Sequence, residues 1–301
     1  MNLTYEEFKI TLTAQVTNMV GEEVNVNVRK IQKNNGVFLD AITIMPQGVF
    51  AAPSIYLQDL YENYKYGISV AEIAAEVISI SEKRQMRRAL PDDFFMDYQK
   101  VKERICYRVI NYEKNRELLK TLPHRKVLDL AMVYYYRVDP ELLENASVLI
   151  RNVDLQRWEI EEEEIRTQAE LNTPRMEPWQ LLSMDELMEE IMSQKNVTVK
   201  TEFFQNNPPS MFILTNKDKF YGASCILYPD VLERIAEQVH NHFYILPSSI
   251  HECIITPVSR GFSQKYLSKM VADINRTQLN EIEVLSDCAY FYNRDKKELV
   301  L

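Results

Sequence analysis

The chain has 301 residues, of which 46% are hydrophobic and 26% charged, a composition typical of a globular protein with about two domains. Its formal net charge of −9 argues against a nucleic-acid partner, because non-specific nucleic-acid binding usually requires a basic surface. Only six residues are glycine and they are widely spaced, which excludes the clustered glycines of nucleotide-binding loops.

The beginning of the chain is predicted to form a helix followed by a hairpin. Thr4 and Glu7 have the spacing of a helix capping box, and apolar residues follow them at helical intervals. Valines alternate with polar residues from 24 to 28, which predicts a strand. The Asn-Gly pair at 35–36 predicts a turn to a return strand over residues 37–44.

Helices are predicted to dominate the next part of the chain. Ser69 and Glu72 repeat the capping-box pattern. A long helix is predicted to begin at Asp92 or Asp93 and to continue to Leu119, because apolar residues recur at helical spacing. The aromatic residues along these helices are interpreted as core residues, since this spacing is more typical of helix packing than of a ligand groove.

Strands become more frequent after Pro123. Val127–Val138 and Ala146–Leu155 are predicted to be strands, the former because β-branched and aromatic residues crowd it. Glu161–Glu164 is interpreted as the first turn of a helix, where carboxylates favour the helix dipole, rather than as a metal site. Further predicted strands cover 197–204, 211–216, 243–246, 252–256, 289–292 and 298–301, and further helices begin near Ser183, Asp230 and Ser263.

This order of elements predicts an α+β fold. The N-terminal part is expected to contain the helix, hairpin and helices, and the C-terminal part a mainly antiparallel sheet with flanking helices. The predicted domains are residues 1–122 and 123–301, with a candidate sub-boundary in the proline-containing segment 173–183.

The sequence also predicts where the protein works and what it does not bind. The first residues lack the features of a signal peptide, and no apolar run is long enough to cross a membrane, so we expect a cytoplasmic protein without a membrane partner. Four scattered cysteines show neither a disulfide framework nor zinc-ligand spacing. No cofactor and no metal are therefore predicted, and the oligomeric state is left open.

The densest group of polar residues lies directly after Pro247. Ser249 and His251 would share a face of a strand, and with Glu252 or the distant Asp287 they have the residue types of a nucleophilic Ser-His-carboxylate site. Serines after a proline usually form turns, however, and no nucleophile elbow is present. We predict no catalytic residue and keep these four side chains as the candidates of an enzymatic alternative.

Two segments are candidate contact surfaces. Asn34 and Asn35 lie at the predicted hairpin tip, where exposed residues often carry recognition, although a turn role alone explains them. The second segment is basic and contains Lys83, Arg84, Arg87 and Arg88. Cations at a helix C-terminus complement the helix dipole, and the alternative is a contact with a phosphate group or a partner.

Six short segments are distinctive in combination: Lys33–Val37, Pro53–Leu57, Leu128–Ala131, Tyr221–Ala223, Pro247–Glu252 and Leu285–Asp287. Together they resemble an uncharacterised bacterial family, domain-of-unknown-function family 5688, over nearly the whole chain. Residues 127–301 are more weakly similar to domain-of-unknown-function family 1444. Both resemblances imply an intracellular bacterial protein, and neither implies an activity.

The leading hypothesis is a non-enzymatic protein-interaction or regulatory module with a protein partner, because the seventeen tyrosines and the acidic surface favour protein contacts. One alternative is a hydrolase or nucleic-acid-processing enzyme that uses Ser249, His251 and Glu252 or Asp287. The other is a mobile-element or phage-linked interference protein that binds a host enzyme through the basic segment 83–88.

Overall fold

The structure is a computed structural model. It describes residues 3–21, 23–48, 52–83, 97–138, 147–184, 211–259 and 262–301. The predicted α+β class is confirmed, because the described residues form helices and three mainly antiparallel sheets. The chain divides into two compact units, residues 1–101 with 137–148 and residues 102–136 with 149–301.

The first unit packs helices against one face of a three-stranded sheet with the strand order β1-β2-β3. Its elements are α1 (Tyr5–Val20), β1 (Asn25–Gln32), β2 (Phe38–Met45), β3 (Ile55–Tyr56), α2 (Leu57–Lys65), α3 (Val70–Lys83) and α4 (Tyr98–Val101). The core includes Phe8 and Leu12 from α1 and Ile42 from β2, all fully buried. Among the described residues β1 pairs only with β2, so it forms one edge of the sheet.

The local predictions for the first unit are confirmed. The Thr4 hydroxyl oxygen accepts a hydrogen bond from the Glu7 N–H, and the Glu7 carboxylate accepts one from the Thr4 N–H. Ser69 and Glu72 make the same reciprocal pair. The hairpin turns through Asn35, whose φ of 59° lies in the left-handed region that asparagine tolerates.

The remaining elements form a four-stranded and a six-stranded sheet with flanking helices. They are β4 (Ile105–Asn111), α5 (Arg116–Leu119), β5 (His124–Val127), β6 (Leu130–Arg137), β7 (Ser147–Leu149), α6 (Asn152–Trp158), α7 (Glu162–Met176), β8 (Trp179–Ser183), β9 (Phe212–Asn216), α8 (Val231–Val239), β10 (Phe243–Pro247), β11 (Cys253–Pro257), α9 (Gln264–Gln278), β12 (Tyr290–Asn293) and β13 (Glu298–Val300). The six-stranded sheet has the order β13-β12-β10-β11-β9-β8 and is antiparallel throughout. In the other sheet β6 lies between β4 and β5, and β7 is the fourth strand.

The prediction of one long helix up to Leu119 is wrong over Ile105–Asn111, although the segments on either side, α4 and α5, are helical. Ile105–Asn111 is a strand that pairs with β6 over its whole length. Val101, Ile105 and Val109 are four residues apart, a spacing that fits a helix and also fits one face of a strand. Pairing with a distant segment decided between the two, and that pairing is not visible in the local pattern.

Two predicted strands have different boundaries. The segment Val127–Val138 contains the strand β6 (Leu130–Arg137), but its first residue ends β5, and the chain turns between the two strands at Leu128 with a φ of 56°. A leucine gives no turn signal, so the sequence pattern missed the break. Ala146–Leu155 contains only the three-residue strand β7, followed by the start of α6.

Some predicted features lie outside the described residues. These are the strand 197–204, the caps Asp92 and Asp93, and most of the helix after Ser183. No helix in the described part of the chain combines the length and the apolar character needed to cross a membrane.

Candidate functional site

Ser249, His251 and Glu252 lie in the connection between β10 and β11. The Ser249 hydroxyl oxygen accepts a hydrogen bond from the His251 N–H at 3.0 Å, and the Ser249 N–H donates to the Glu252 carbonyl at 3.2 Å. Ser249 is only 7% exposed. These are the contacts of a serine turn, in which the hydroxyl stabilises the local backbone.

The imidazole of His251 is held by Tyr221. The Tyr221 N–H donates to Nδ1 of His251 at 3.3 Å, and the two rings are parallel within 6° with centroids 5.8 Å apart. Burial lowers the pKa of His251; Glu283 and Glu252 oppose this effect and Arg108 adds to it. Because Nδ1 accepts a hydrogen bond, the proton of the neutral ring is on Nε2, which offers a donor.

The candidate carboxylate Asp287 has a different partner. It is exposed and accepts a hydrogen bond from Asn275 Nδ2 at 2.7 Å, and within the described residues no hydrogen bond joins it to Ser249 or His251. A Ser-His-carboxylate site needs the carboxylate at an Nδ1–H and the serine at an unprotonated Nε2. The described contacts do not provide that arrangement, and the hydrolase alternative stays a prediction.

A serine does meet a carboxylate, but the carboxylate is that of Asp129, which is not among the predicted site residues. The hydroxyls of Ser286 and Tyr290 donate to its two carboxylate oxygens, each at 2.6 Å. Leu128–Ala131 and Leu285–Asp287, two of the segments that resemble domain-of-unknown-function family 5688, therefore meet at this side chain. Because both carboxylate oxygens accept short hydrogen bonds, Asp129 joins the two segments structurally.

Two further segments of the same resemblance, Tyr221–Ala223 and Pro247–Glu252, meet at Gly222. A Cβ at this position would lie 2.2 Å from Thr215 Oγ1 and 2.5 Å from the His251 carbonyl oxygen. Thr215 Oγ1 also donates to that carbonyl at 2.9 Å. Only glycine allows this approach, so Tyr221–Ala223 and Pro247–Glu252 are fixed against each other.

Arg108 completes a group that we call the aromatic-cation cluster, made of Arg108, Phe220, Tyr221 and His251. The Arg108 Cζ lies 4.4 Å from the centroid of the Tyr221 ring, a cation–π contact. Its Nε is buried without a hydrogen-bond partner, and no carboxylate of the described residues forms an ion pair with it. The centroid of the Phe220 ring lies 3.9 Å from that of the Tyr221 ring, and Phe220 is 43% exposed.

The loop that carries Phe220 is held by Asn216, which is fully buried. Asn216 Nδ2 donates to the Phe220 carbonyl at 2.7 Å, and its Oδ1 accepts from the Phe220 N–H at 3.1 Å. The carboxylate of Glu177 in turn accepts from Asn216 at 3.4 Å and from the Tyr135 hydroxyl at 2.5 Å. This buried network fixes the position of the aromatic-cation cluster.

The hairpin tip is built around its two asparagines. Asn35 is 8% exposed and has the left-handed backbone of the turn. The Asn34 carbonyl accepts a hydrogen bond from the Val37 N–H at 3.3 Å, which closes the tip. These contacts explain both residues as turn formers, and their role in binding stays a prediction.

The basic segment is described only at its first residue. Lys83 is exposed and is the last residue of α3, where its charge complements the helix dipole. Arg84, Arg87 and Arg88 lie outside the described residues, so the proposed contact through this segment stays a prediction.

The described ranges contain all four cysteines and can be compared with the requirements of metal and thiol sites. The residues in these ranges hold no group of three or more histidines, cysteines, aspartates or glutamates that could bind a metal ion. None of the four cysteines forms a disulfide bond. Burial raises the pKa of Cys225 to about 12 and also raises that of Cys253, so these thiols stay protonated and unreactive at neutral pH.

An open groove of about 590 Å³ runs between α1 and β1 in the first unit. It is lined by Lys9, Ile10, Thr13, Ala14, Thr17, Asn18 and Val28. The hydroxyls of Thr13 and Thr17 donate to the carbonyls of Lys9 and Thr13 at 2.7 and 2.9 Å, which leaves their methyl groups to line the groove. Ile10 is 71% exposed, so the groove has an accessible apolar wall.

The chain is similar over most of its length to a family of proteins. The model of the DUF5688 family, described as a family of unknown function, matches residues 5–294. No curated protein matches the chain. No solved structure matches it either. The weaker resemblance to domain-of-unknown-function family 1444 stays a prediction.

Proposed function

The chain belongs to the DUF5688 family, whose function is unknown, and we propose that it is a protein-interaction module. In this proposal the groove between α1 and β1 binds an extended segment of a partner protein. The observation that carries the proposal is the edge of β1 that pairs with no other described strand and lies beside an accessible apolar groove.

The β1 edge has the properties of a template for strand addition. It is eight residues long and, in the described residues, pairs with β2 alone. In an antiparallel pair every second residue directs its N–H and C=O groups away from the partner strand. A peptide in extended conformation can bond to these groups as an added strand, while its alternate side chains enter the groove.

The edge of β4 shows how this fold blocks a strand edge with side-chain hydrogen bonds. There, the N–H groups of Tyr107 and Val109 donate to the hydroxyls of Thr173 and Ser224 at 3.0 and 3.2 Å. Among the described residues, no side chain makes an equivalent hydrogen bond to the backbone of β1. Exposed edges are normally blocked, so an open one supports a role in recognition.

Charge indicates the chemistry of the partner. Arg29 and Lys30 are exposed on β1, whereas Lys9 in the groove is already paired with Glu6 and Asp40 at 2.9 and 3.2 Å. An antiparallel pair of β1 strands from two copies, in the register centred on Arg29 and Lys30, would bring four cations together, which is unfavourable. The expected partner segment therefore has apolar residues at alternate positions and acidic residues opposite Arg29 and Lys30.

Panning of a random peptide library tests the proposal without a known partner. Peptides are selected on the protein after removal of those that bind a double variant, Ile10→Asp with Ala14→Arg. Both positions are exposed, so the variant is expected to fold. Selected peptides should bind the double variant at least about tenfold more weakly, a loss of about 1.4 kcal/mol. Met19→Asp, at an exposed apolar position of α1 outside the groove, should not change the affinity.

Hydrogen exchange locates the bound peptide independently. Amides of β1 that point away from β2 should exchange more slowly in the complex. The proposal fails if no peptide distinguishes the protein from the double variant, or if protection appears only outside residues 25–32. A dimer of the protein alone with protected β1 amides would identify a second copy as the occupant and would equally overturn it.

A further inference from the structure

We infer that the aromatic-cation cluster of Arg108, Phe220, Tyr221 and His251 binds a small ligand that carries one anionic group and a flat ring. The cluster shares no residue with the groove between α1 and β1. Ligand binding at the cluster and peptide binding in the groove can therefore be tested independently of each other.

Arg108 carries a positive charge that no carboxylate of the described residues neutralises in an ion pair. Partly buried charges are normally paired, because removing them from water is unfavourable. Arg108 instead makes a cation–π contact with Tyr221, with a buried and unpartnered Nε and no ion pair to any described carboxylate. A cation–π contact leaves the terminal NH2 groups of a guanidinium available to bind a carboxylate or phosphate bidentately.

His251 adds a second donor. Its Nδ1 accepts the Tyr221 N–H, so the neutral ring carries its proton on Nε2, and within the described residues no acceptor bonds to that atom. Both side chains contact the Tyr221 ring: the Arg108 Cζ lies 4.4 Å from its centroid, and the centroid of the His251 ring lies 5.8 Å from it. The positive charge of Arg108 also adds to the lowering of the pKa of His251 by burial. An anion accepting from both would satisfy two donors at once.

Phe220 supplies the surface for a ring. It is 43% exposed, and its centroid lies 3.9 Å from that of Tyr221 and 5.5 Å from that of His251. Asn216 fixes the backbone of Phe220 on both sides, so the surface exists before a ligand binds. Exposed aromatic rings next to an arginine bind flat rings by stacking and their anionic groups by charge.

The charges around the cluster limit the ligand. Glu252 and Glu283 lie close enough to His251 to act against the lowering of its pKa. Their negative charge disfavours ligands with several anionic groups, such as polyphosphates. Two ligand classes share the remaining chemistry, aromatic carboxylates and nucleoside monophosphates.

Isothermal titration calorimetry of the full chain tests this inference with benzoate and AMP. Acetate and inorganic phosphate serve as the matched anions without a ring. At least one ring-bearing ligand should bind at least about tenfold more tightly than its ring-free counterpart, a difference of about 1.4 kcal/mol. Binding of benzoate alone identifies the carboxylate class, and binding of AMP alone the nucleotide class.

Variants separate the contributions of the cluster. Arg108→Met should weaken binding by about tenfold or more, since it removes the charge-assisted hydrogen bonds. Phe220→Ala should abolish the preference for the ring-bearing ligand. His251→Asn keeps an acceptor for the Tyr221 N–H and removes the Nε2 donor, so it should lower affinity while the loop is retained. Arg125→Met, at an exposed arginine of β5, is the control and should change nothing.

The melting temperature without ligand shows whether a variant is folded. If Arg108→Met unfolds, Arg108→Lys replaces it, because lysine keeps the charge and loses the planar fork, and affinity should again fall. Absence of binding by both ring ligands overturns the inference. So does binding that survives the Arg108 variants, or equal affinity for the ring-free anions.

Discussion

Gly222 occupies a position at which a side chain has no room. A Cβ would approach Thr215 Oγ1, the His251 carbonyl oxygen and the Asn216 nitrogen at 2.2, 2.5 and 2.7 Å. The last two are backbone atoms next to or within paired strands, so they cannot move without disturbing the sheet. The glycine therefore sets the distance between the neighbouring Tyr221 and the turn that carries His251.

Gly222→Ala is expected to lower the free energy of unfolding by about 3 kcal/mol, the upper end of the usual cost of overpacking. Gly67→Ala is the control, because its Cβ meets open space and only its φ of 100° is strained. That variant should cost about 1 kcal/mol. Urea denaturation of both variants measures the difference, and equal losses would show that the contact at Gly222 relaxes without cost.

Single residues were predictable from the sequence when their partners were local. The capping boxes of Thr4 and Ser69 depend on residues three positions away, and both are present. The role of Gly222 depends on strands far along the chain, and so does the contact of Arg108 with Tyr221. No local pattern distinguishes such an arginine from any other arginine in a strand.

At the scale of elements, α7 takes the place of a neighbouring strand along β4. Thr173 Oγ1 accepts the Tyr107 N–H at 3.0 Å and donates to the Ala169 carbonyl at 2.6 Å. Asn172 Nδ2 donates to the Ile105 carbonyl at 2.9 Å. These side chains satisfy backbone groups that would otherwise be buried and unpaired.

Thr173→Val is expected to destabilise the protein by about 1–3 kcal/mol, because it keeps the shape and leaves the Tyr107 N–H without a partner. Thr17→Val removes a hydroxyl that bonds within the surface helix α1, and it should change stability by less than about 0.5 kcal/mol. Urea denaturation compares the variants, and hydrogen exchange should show a faster Tyr107 amide only in Thr173→Val. An unchanged Tyr107 amide would contradict this account of the edge.

Helices and strands were predictable from the sequence where the spacing of the apolar residues fitted only one of the two structures. The alternating valines of β1 fit a strand and no helix, and this hairpin was predicted close to its actual boundaries. In Ile105–Asn111 the apolar residues fit both the helical and the strand period, and pairing with β6 determines that this segment is a strand. The groove beside β1 was not predicted, because a pattern along one strand does not show whether its edge is covered.

At the scale of the whole molecule, the pairing of β4 with β6 crosses the predicted domain boundary between residues 122 and 123. The predicted division at 122 and 123 lies between β4 and β5, and it stays a prediction. β4 pairs with β6 at every residue from Ile105 to Asn111, and Tyr134 and Tyr135 of β6 are almost fully buried. A chain that begins at residue 123 would expose the β6 edge and part of this core to water.

Two truncated chains test the boundary. Residues 102–301 keep β4 and are expected to unfold cooperatively, with near-ultraviolet circular dichroism from packed tyrosines. This chain also contains residues 137–148, which group with the first unit. Residues 123–301 are expected to aggregate or to lack that signal, because β6 loses a partner along its length. Size-exclusion chromatography and thermal unfolding measure both. Cooperative unfolding of 123–301 with an intact near-ultraviolet spectrum would support the boundary at 122 and 123, and would show that the pairing of β4 with β6 is dispensable for the rest of the sheet.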